Sequence, residues 1–197
     1  MSEGLVLVWD MDQTLIGNYF SMDTVPLPEL DFNQRALEIL RLADKAKETG
    51  KVAGILLLTN NTDKEFISHV MSQIGIMFDS ILDGTRGIPG LDGQVPKSLE
   101  DVEKMIVALK LSTENLRDRT FFFDDISYHH MREDIDPSHY IVITPPYKKG
   151  NDRTDFSVIR GALGLVGGAQ KKRKSRRRNK KHRVYGKKKK NRTRVLI

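Results

Sequence analysis

The chain has 197 residues, 39% of them hydrophobic, which allows one core of ordinary size plus an appendage. It has no cysteine, which excludes disulfide stapling, thiolate zinc sites and thiol nucleophiles and fits a reducing compartment. The formal charge of +7 joins two unlike parts: residues 171–197 hold 16 Lys and Arg and no acid, leaving 17 − 26 = −9 for residues 1–170.

Met-Ser-Glu-Gly leads directly into Leu5-Val-Leu-Val-Trp9, and no later apolar run reaches membrane-spanning length, so a soluble intracellular protein without a signal segment is expected. The Leu5–Trp9 run predicts a buried strand that ends at Asp10, on the sheet edge where open α/β folds place their ligands. Asp10 and Asp12 either cap that strand and its turn or form a nucleophile with an acid–base partner. Thr14 is expected to tie the turn. Ile16 to Leu30, with Pro26 and Pro28, reads as a loop or short flap.

Asp31 reads as the N-cap of an amphipathic helix that buries Ala36, Leu37, Ile39, Leu40 and Ala43 and stops before Gly50. Val52 to Thr59 is a second apolar run and ends in Thr-Asn-Asn. Thr62 and Glu65 then read as a capping box for a helix from Asp63 to about Ile74. Strand, helix, strand, helix is the rhythm of a parallel sheet with crossovers. Gly75 to Gln94, with Gly84, Gly87, Pro89, Gly90 and Gly93, reads as a connecting loop of little regular structure.

Pro96, Lys97 and Ser98 open another helix, whose buried stripe is Leu99, Val102, Met105, Ile106, Ala108 and Leu109. Phe121-Phe-Phe123 is a third strand ending in Asp124-Asp125, and Tyr140 to Thr144 a last short one closed by Pro145 and Pro146. His129, His130 and His139 read as exposed loop histidines rather than a metal site. Asp155 to Leu165 predicts a short helix within a glycine-rich hinge over 151–170, and the block of like charge in 171–197 predicts disorder until it meets a polyanion.

Three apolar runs thus end in Asp10, Thr59 and Asp124, and one helix begins beside Lys97. If the strands are parallel neighbours, these side chains meet at one edge. The set Asp10-Met-Asp12-Gln-Thr14, Thr59, Lys97 and Asp124-Asp125 resembles the four motifs of the haloacid dehalogenase-like (HAD) superfamily of phosphohydrolases, across Leu5 to about Thr144. The resemblance implies a Rossmann-like three-layer α/β/α fold over residues 1–150. The segments 16–50 and 60–97 are too short for a folded cap domain, so the layout is similar to capless magnesium-dependent, polymerase C-terminal-domain and polynucleotide phosphatases.

Phosphate monoester hydrolysis is among the slowest uncatalysed reactions, so a site for it needs a nucleophile, a proton source and charge neutralisation together. The resemblance implies attack by Asp10 to give an aspartyl phosphate, with Asp12 as acid and then base. It implies Mg2+ bound by the Asp10 carboxylate, the Asp12 carbonyl and Asp124, with Asp125 orienting waters or the lysine. Thr59, Asn60 and Lys97 would bind the phosphoryl group. Asp12 also argues against a dehalogenase, which has no leaving alkoxide to protonate.

Two function classes follow. One is a Mg2+-dependent phosphatase acting on a phosphorylated macromolecule, a nucleic-acid end or a small phosphate ester. The other is a nucleic-acid-binding or packaging protein that uses an inactive phosphatase-like body as a scaffold. Lys171 to Arg194 reads as a nucleic-acid arm, a nuclear or nucleolar targeting signal, or both. Similar tails occur on proteins of large DNA viruses, which adds the viral factory or virion to the expected locations.

Overall fold

The computed structural model describes residues 3–17, 29–84, 96–148 and 150–165, without the side chains of His129 and His130. Five strands form one parallel sheet in the order β3-β2-β1-β4-β5: β1 (Leu5–Trp9), β2 (Val52–Leu58), β3 (Ser80–Leu82), β4 (Thr120–Asp124) and β5 (Tyr140–Val142). The helices are α1 (Gln34–Lys47), α2 (Lys64–Ile74), α3 (Leu99–Ala108), α4 (Leu116–Arg119), α5 (His129–Asp134) and α6 (Ser157–Ala162). The chain steps outward from β1 through β2 to β3, then returns to the other side of β1 to place β4 and β5. The reversal between β1 and β4 is the switch point of a Rossmann-like fold, where a crevice opens beyond the strand ends.

Alternation along the strands divides the core into two layers. Leu7 and Trp9 of β1, Ile55 and Leu57 of β2 and Phe121 and Phe123 of β4 pack with α1, α2 and α6 on one face. Val6 and Val8, Leu56 and Leu58, and Phe122 pack with α3, α4 and α5 on the other. This is the expected three-layer α/β/α arrangement. Trp9 stacks flat on Phe123 across neighbouring strands, with ring centroids 3.8 Å apart and planes 4° from parallel. The stack fixes the two strands just before their carboxylates, so packing in the core carries over into placement of the site.

Several local expectations shift. The N-cap of α1 is Asn33, not Asp31: its side chain accepts the Ala36 N–H, while Asp31 accepts the Tyr147 hydroxyl. The N-cap of α2 is Asp63, which accepts the Phe66 N–H, in place of a Thr62–Glu65 box. The capping box belongs to α3, between Ser98 and Asp101. The stretch expected as loop from Gly75 contains β3. His139 lies in a one-turn 3-10 helix, Pro137–His139, with its ring stacked 3.9 Å from that of Phe121, so it is not an exposed loop residue.

The backbone carbonyl of Thr14 accepts from Asn33 Nδ2, but its hydroxyl is buried without a partner among the described residues, so the backbone and not the side chain ties that turn. The flap residues 18–28, the glycines of 85–95, the hinge from Val166 and the basic tail lie outside the described residues, as do the side chains of His129 and His130. Among the described residues no helix is long and apolar enough to cross a membrane.

Candidate active site

Parallel pairing places the ends of β1 and β4 side by side: Trp9 pairs with Phe123, and the Asp10 N–H donates to the Phe123 carbonyl at 2.9 Å. Asp10 and Asp124 therefore leave the sheet together. Between them comes Lys97, from the segment just before the Ser98 cap of α3. Its Nζ lies 2.5 Å from Asp10 Oδ1 and 2.6 Å from Asp124 Oδ2. All three side chains are buried, so this is a dry cluster in which one cation faces two anions.

The second oxygen of Asp124, Oδ1, accepts the Ile126 N–H at 2.8 Å. Burial and the Asp10 charge push the Asp124 carboxyl upward, and the Lys97 ammonium opposes them. Asp125 is pushed up to about 6, first by burial and then by Asp10.

Gln13 stands at φ 56°, a left-handed residue that turns the chain sharply after Asp12. The turn closes with Leu15 and Ile16 N–H groups both donating to the Met11 carbonyl, at 2.9 and 3.1 Å. Asp12 is thereby brought back over the strand end. Its carboxyl is pushed up to about 7, mainly by burial and next by the Asp10 charge, while the Asn61 hydrogen bond and Lys97 pull the other way. A carboxyl with that setting holds a proton near neutral pH beside an ionised neighbour, the division of labour that acid–base chemistry needs.

The end of β2 supplies the facing wall. Asn60, Asn61 and Thr62 line a pocket of about 440 Å3 together with Asp10, Asp12, Lys97, Asp124 and Tyr128. Thr59 is fully buried and does not line it; its hydroxyl oxygen accepts the Asn61 N–H at 3.1 Å. Asn60 donates to the Tyr128 hydroxyl at 3.0 Å, and the Tyr128 ring lies 5.5 Å from Lys97 Nζ.

Sequence reasoning missed Asn61 and Tyr128. Asn61 stood in plain view in Thr-Asn-Asn, but only the third dimension shows which asparagine turns inward. Nothing in the local sequence around Tyr128 marks it.

Asp10, Asp124 and Asp125 each present a carboxylate oxygen, and these oxygens lie within 4.8 Å of one another. An all-oxygen anionic set of this kind suits a hard divalent cation such as Mg2+. Asp125, expected to orient waters or the lysine, thus also offers an oxygen to the cluster. Among the described residues no histidine belongs to the cluster.

No protein-family model matches the chain, and no curated protein matches it. Among solved structures it is similar to a protein provisionally assigned as a 3-deoxy-D-manno-octulosonate 8-phosphate phosphatase from Vibrio cholerae, at 16% identity over 68% of this chain and 63% of that one, with a TM-score of 0.43. It is similar to a protein assigned to the HAD family of hydrolases from Streptomyces avermitilis, at 14% identity over 81% and 78% of the two chains and a TM-score of 0.43. A third, assigned to the HAD superfamily, subfamily III A, comes from Legionella pneumophila, at 14% identity over 62% and 56% and a TM-score of 0.37. The chain spans less than two thirds of the length of the Vibrio and Legionella proteins.

Proposed function

We propose that this protein is a Mg2+-dependent phosphomonoester hydrolase of the HAD type, acting through an aspartyl phosphate on Asp10. The observation that carries the reading is the buried Asp10–Lys97–Asp124 cluster at the C-terminal edge of the sheet, with Asp12 beside it. Burying three ionised groups costs several kcal/mol apiece, so a body that served only as a nucleic-acid scaffold would gain nothing by keeping them.

Asp10 is the nucleophile, and Lys97 holds it at one oxygen so that the other can face phosphorus. Asp12 carries the proton for the leaving oxygen and later takes one from the attacking water. Lys97 and Asn60, which line the pocket, receive the phosphoryl oxygens, while the buried Thr59 holds the turn behind them through the Asn61 N–H. Asp10, Asp124 and Asp125, with the Asp12 carbonyl, would hold Mg2+, whose chemistry there is to neutralise the charge on the phosphoryl group. The segments Asp10–Asn33 and Asp83–Ser98 are too short to fold as a cap, which suits a phosphate displayed on a macromolecule, and Lys171 to Arg194 would carry the enzyme to polyanionic surroundings.

The test is hydrolysis of an aryl phosphate by the full-length protein, with and without Mg2+. Turnover should require the metal and vanish in Asp10→Asn, whose amide has nearly the same shape but is a poor nucleophile. Turnover that survives in Asp10→Asn overturns the reading.

A further inference from the structure

We infer that Tyr140 is a positioning residue for the cation site: its hydroxyl holds the loop after β4 so that Asp125 stays against Asp10 and Asp124 before any metal offsets their repulsion. The inference rests on the reading above that these three carboxylates hold Mg2+, and it adds a residue that does not line the pocket.

Tyr140 opens β5 and pairs with Phe122, two residues before Asp124 on the neighbouring strand. Both rings pack on the face covered by α3, α4 and α5, with centroids 5.2 Å apart. From there the phenol reaches the loop that follows β4. Its hydroxyl donates to the Ile126 carbonyl at 2.7 Å and accepts the Tyr128 N–H at 2.9 Å. A phenol has one proton to donate, and here it is committed to the loop backbone.

Asp125 is thereby bracketed by two pinned neighbours. On one side, the Asp124 carbonyl accepts the Ile143 N–H at 2.8 Å, which fixes the end of β4 against β5. On the other, both backbone polar groups of Ile126 are engaged: its N–H donates to Asp124 Oδ1 at 2.8 Å, and its carbonyl accepts the Tyr140 hydroxyl. Without that hydroxyl Ile126 keeps one anchor, on a carboxylate that belongs to the cluster itself.

Fixing Asp125 matters because the cluster resists assembly. One oxygen each from Asp10, Asp124 and Asp125 lie within 4.8 Å of one another. Lys97 pairs with Asp10 and Asp124, whereas Asp125 makes no ion pair among the described residues. Like charges at that distance repel, and Asp125, which is partly exposed, would gain by turning toward water. The Tyr140 bonds oppose that turn. Ligands held in place before a cation arrives bind it more tightly than ligands that must be gathered.

Titration calorimetry with Mg2+ on the full-length protein tests this without recourse to turnover. Tyr140→Phe keeps the ring and deletes one oxygen, and its dissociation constant for Mg2+ should rise about 10-fold or more. Asp125→Ala should weaken binding at least as much. The variant that carries both substitutions separates positioning from plain stability: if Tyr140 acts through Asp125, it should bind Mg2+ within about twofold of Asp125→Ala alone. A hydroxyl that only stabilised the fold would lower the melting temperature and leave Mg2+ affinity alone.

If Tyr140→Phe fails to fold, amide exchange in the metal-free wild type decides. Corrected for intrinsic rates, the Tyr128 N–H should exchange at least about 10-fold more slowly than that of the exposed Ser127, and Mg2+ should change the ratio by less than about twofold. A Tyr128 N–H that becomes protected only when Mg2+ binds overturns the inference, because the metal would then be gathering the loop. Equal Mg2+ affinity in wild type and Tyr140→Phe, or additive losses in the double variant, overturn it too, and each of these leaves the phosphatase reading intact. A wild type that binds no Mg2+ overturns the metal site in that reading and the inference with it.

Discussion

Lys97 and Asp124 form a 2.6 Å ion pair from which solvent is excluded, with side-chain exposures of 2% and 1%. The same ammonium lies 2.5 Å from Asp10. Pairing of β1 with β4 forces the two carboxylates together regardless of their repulsion, and the lysine makes that tolerable. Burial alone would lower the Lys97 pKa, but the Asp10 and Asp124 charges and hydrogen bonds outweigh it and hold the amine firmly protonated.

Replacing the lysine with an apolar side chain of similar length should therefore expose the repulsion it masks. Lys97→Met leaves two buried carboxylates uncompensated, and breaking a buried pair in this way typically costs 3–5 kcal/mol. Urea unfolding of the metal-free variant should show a loss of about that size, and saturating Mg2+ should recover part of it. A variant as stable as wild type without metal would mean that the carboxylates are not both ionised.

The three long strands were legible because each is a run of apolar residues buried on both faces, ending in a polar residue that the sheet edge can hydrate. That same logic brought Asp10, Asp12, Lys97, Asp124 and Asp125 to one pocket. β3 was not legible. It is three residues long, at the edge, with Ile81 46% exposed, so it shows neither alternation nor a run. Helices α4 and α5, of four and six residues, are too short to display a 3.6-residue period. Asn33 displaced Asp31 as a cap because both are good caps two residues apart, and the choice fell to the Asn33 bond with the Thr14 carbonyl. Asn61 escaped notice for a related reason: its value lies in a hydrogen bond across 49 positions of sequence.

Stability of the metal-free protein should fall as pH rises toward 8. Burial first and the Asp10 charge next push Asp12 up to about 7 and Asp125 up to about 6 in the folded protein, against an ordinary value of 3.8. Between these limits the folded state binds more protons than the unfolded chain, so the slope of unfolding free energy with pH is negative. Their contribution is fully present below about pH 4 and is lost as pH rises through 6 to 7. For Asp12 the loss is at most on the order of 4 kcal/mol. Denaturant melts in chelator from pH 5.5 to 8 should show the decline, and Asp12→Asn should flatten it. A wild-type protein that gains stability across that interval would contradict the burial assigned to Asp12.

Gly84 should matter to the site although it carries no chemistry. A Cβ there would overlap the Asn60 carbonyl oxygen and stand 2.8 Å from its carbon and 2.9 Å from Thr62 Cγ2. Gly84→Ala must therefore push back the Asn60–Thr62 wall, at a cost of typically 1–3 kcal/mol for overpacking. Gly50→Ala is the control: Gly50, at φ +70°, lies just before β2 at the opposite sheet edge, and alanine there strains the backbone by about 1 kcal/mol without touching the pocket. Both variants should melt lower than wild type, but only Gly84→Ala should lose kcat/KM on an aryl phosphate. Equal activity in the two would detach Gly84 from the site.

The basic tail supports a prediction that needs no structure for it. Lys and Arg side chains reach phosphates without reading bases, so the full-length protein should bind DNA or RNA with little sequence preference. Tyr185 is the only aromatic residue among 171–197, so base stacking adds little. Each phosphate neutralised on duplex DNA contributes about 0.9 to the slope of log K against log salt, and engagement of roughly half of the 16 charges gives a slope near about −7. Residues 1–170 carry −9 and repel the same polymer, so deletion of Lys171 to Ile197 should abolish binding, while turnover of a small aryl phosphate, whose proposed site residues all precede the tail, should be retained. Affinity measured at several salt concentrations for the full and shortened chains, beside their hydrolysis rates, decides the matter. Binding that ignores salt or survives the deletion would place recognition in the body, and a shortened chain that folds but no longer turns over substrate would draw the tail into the site.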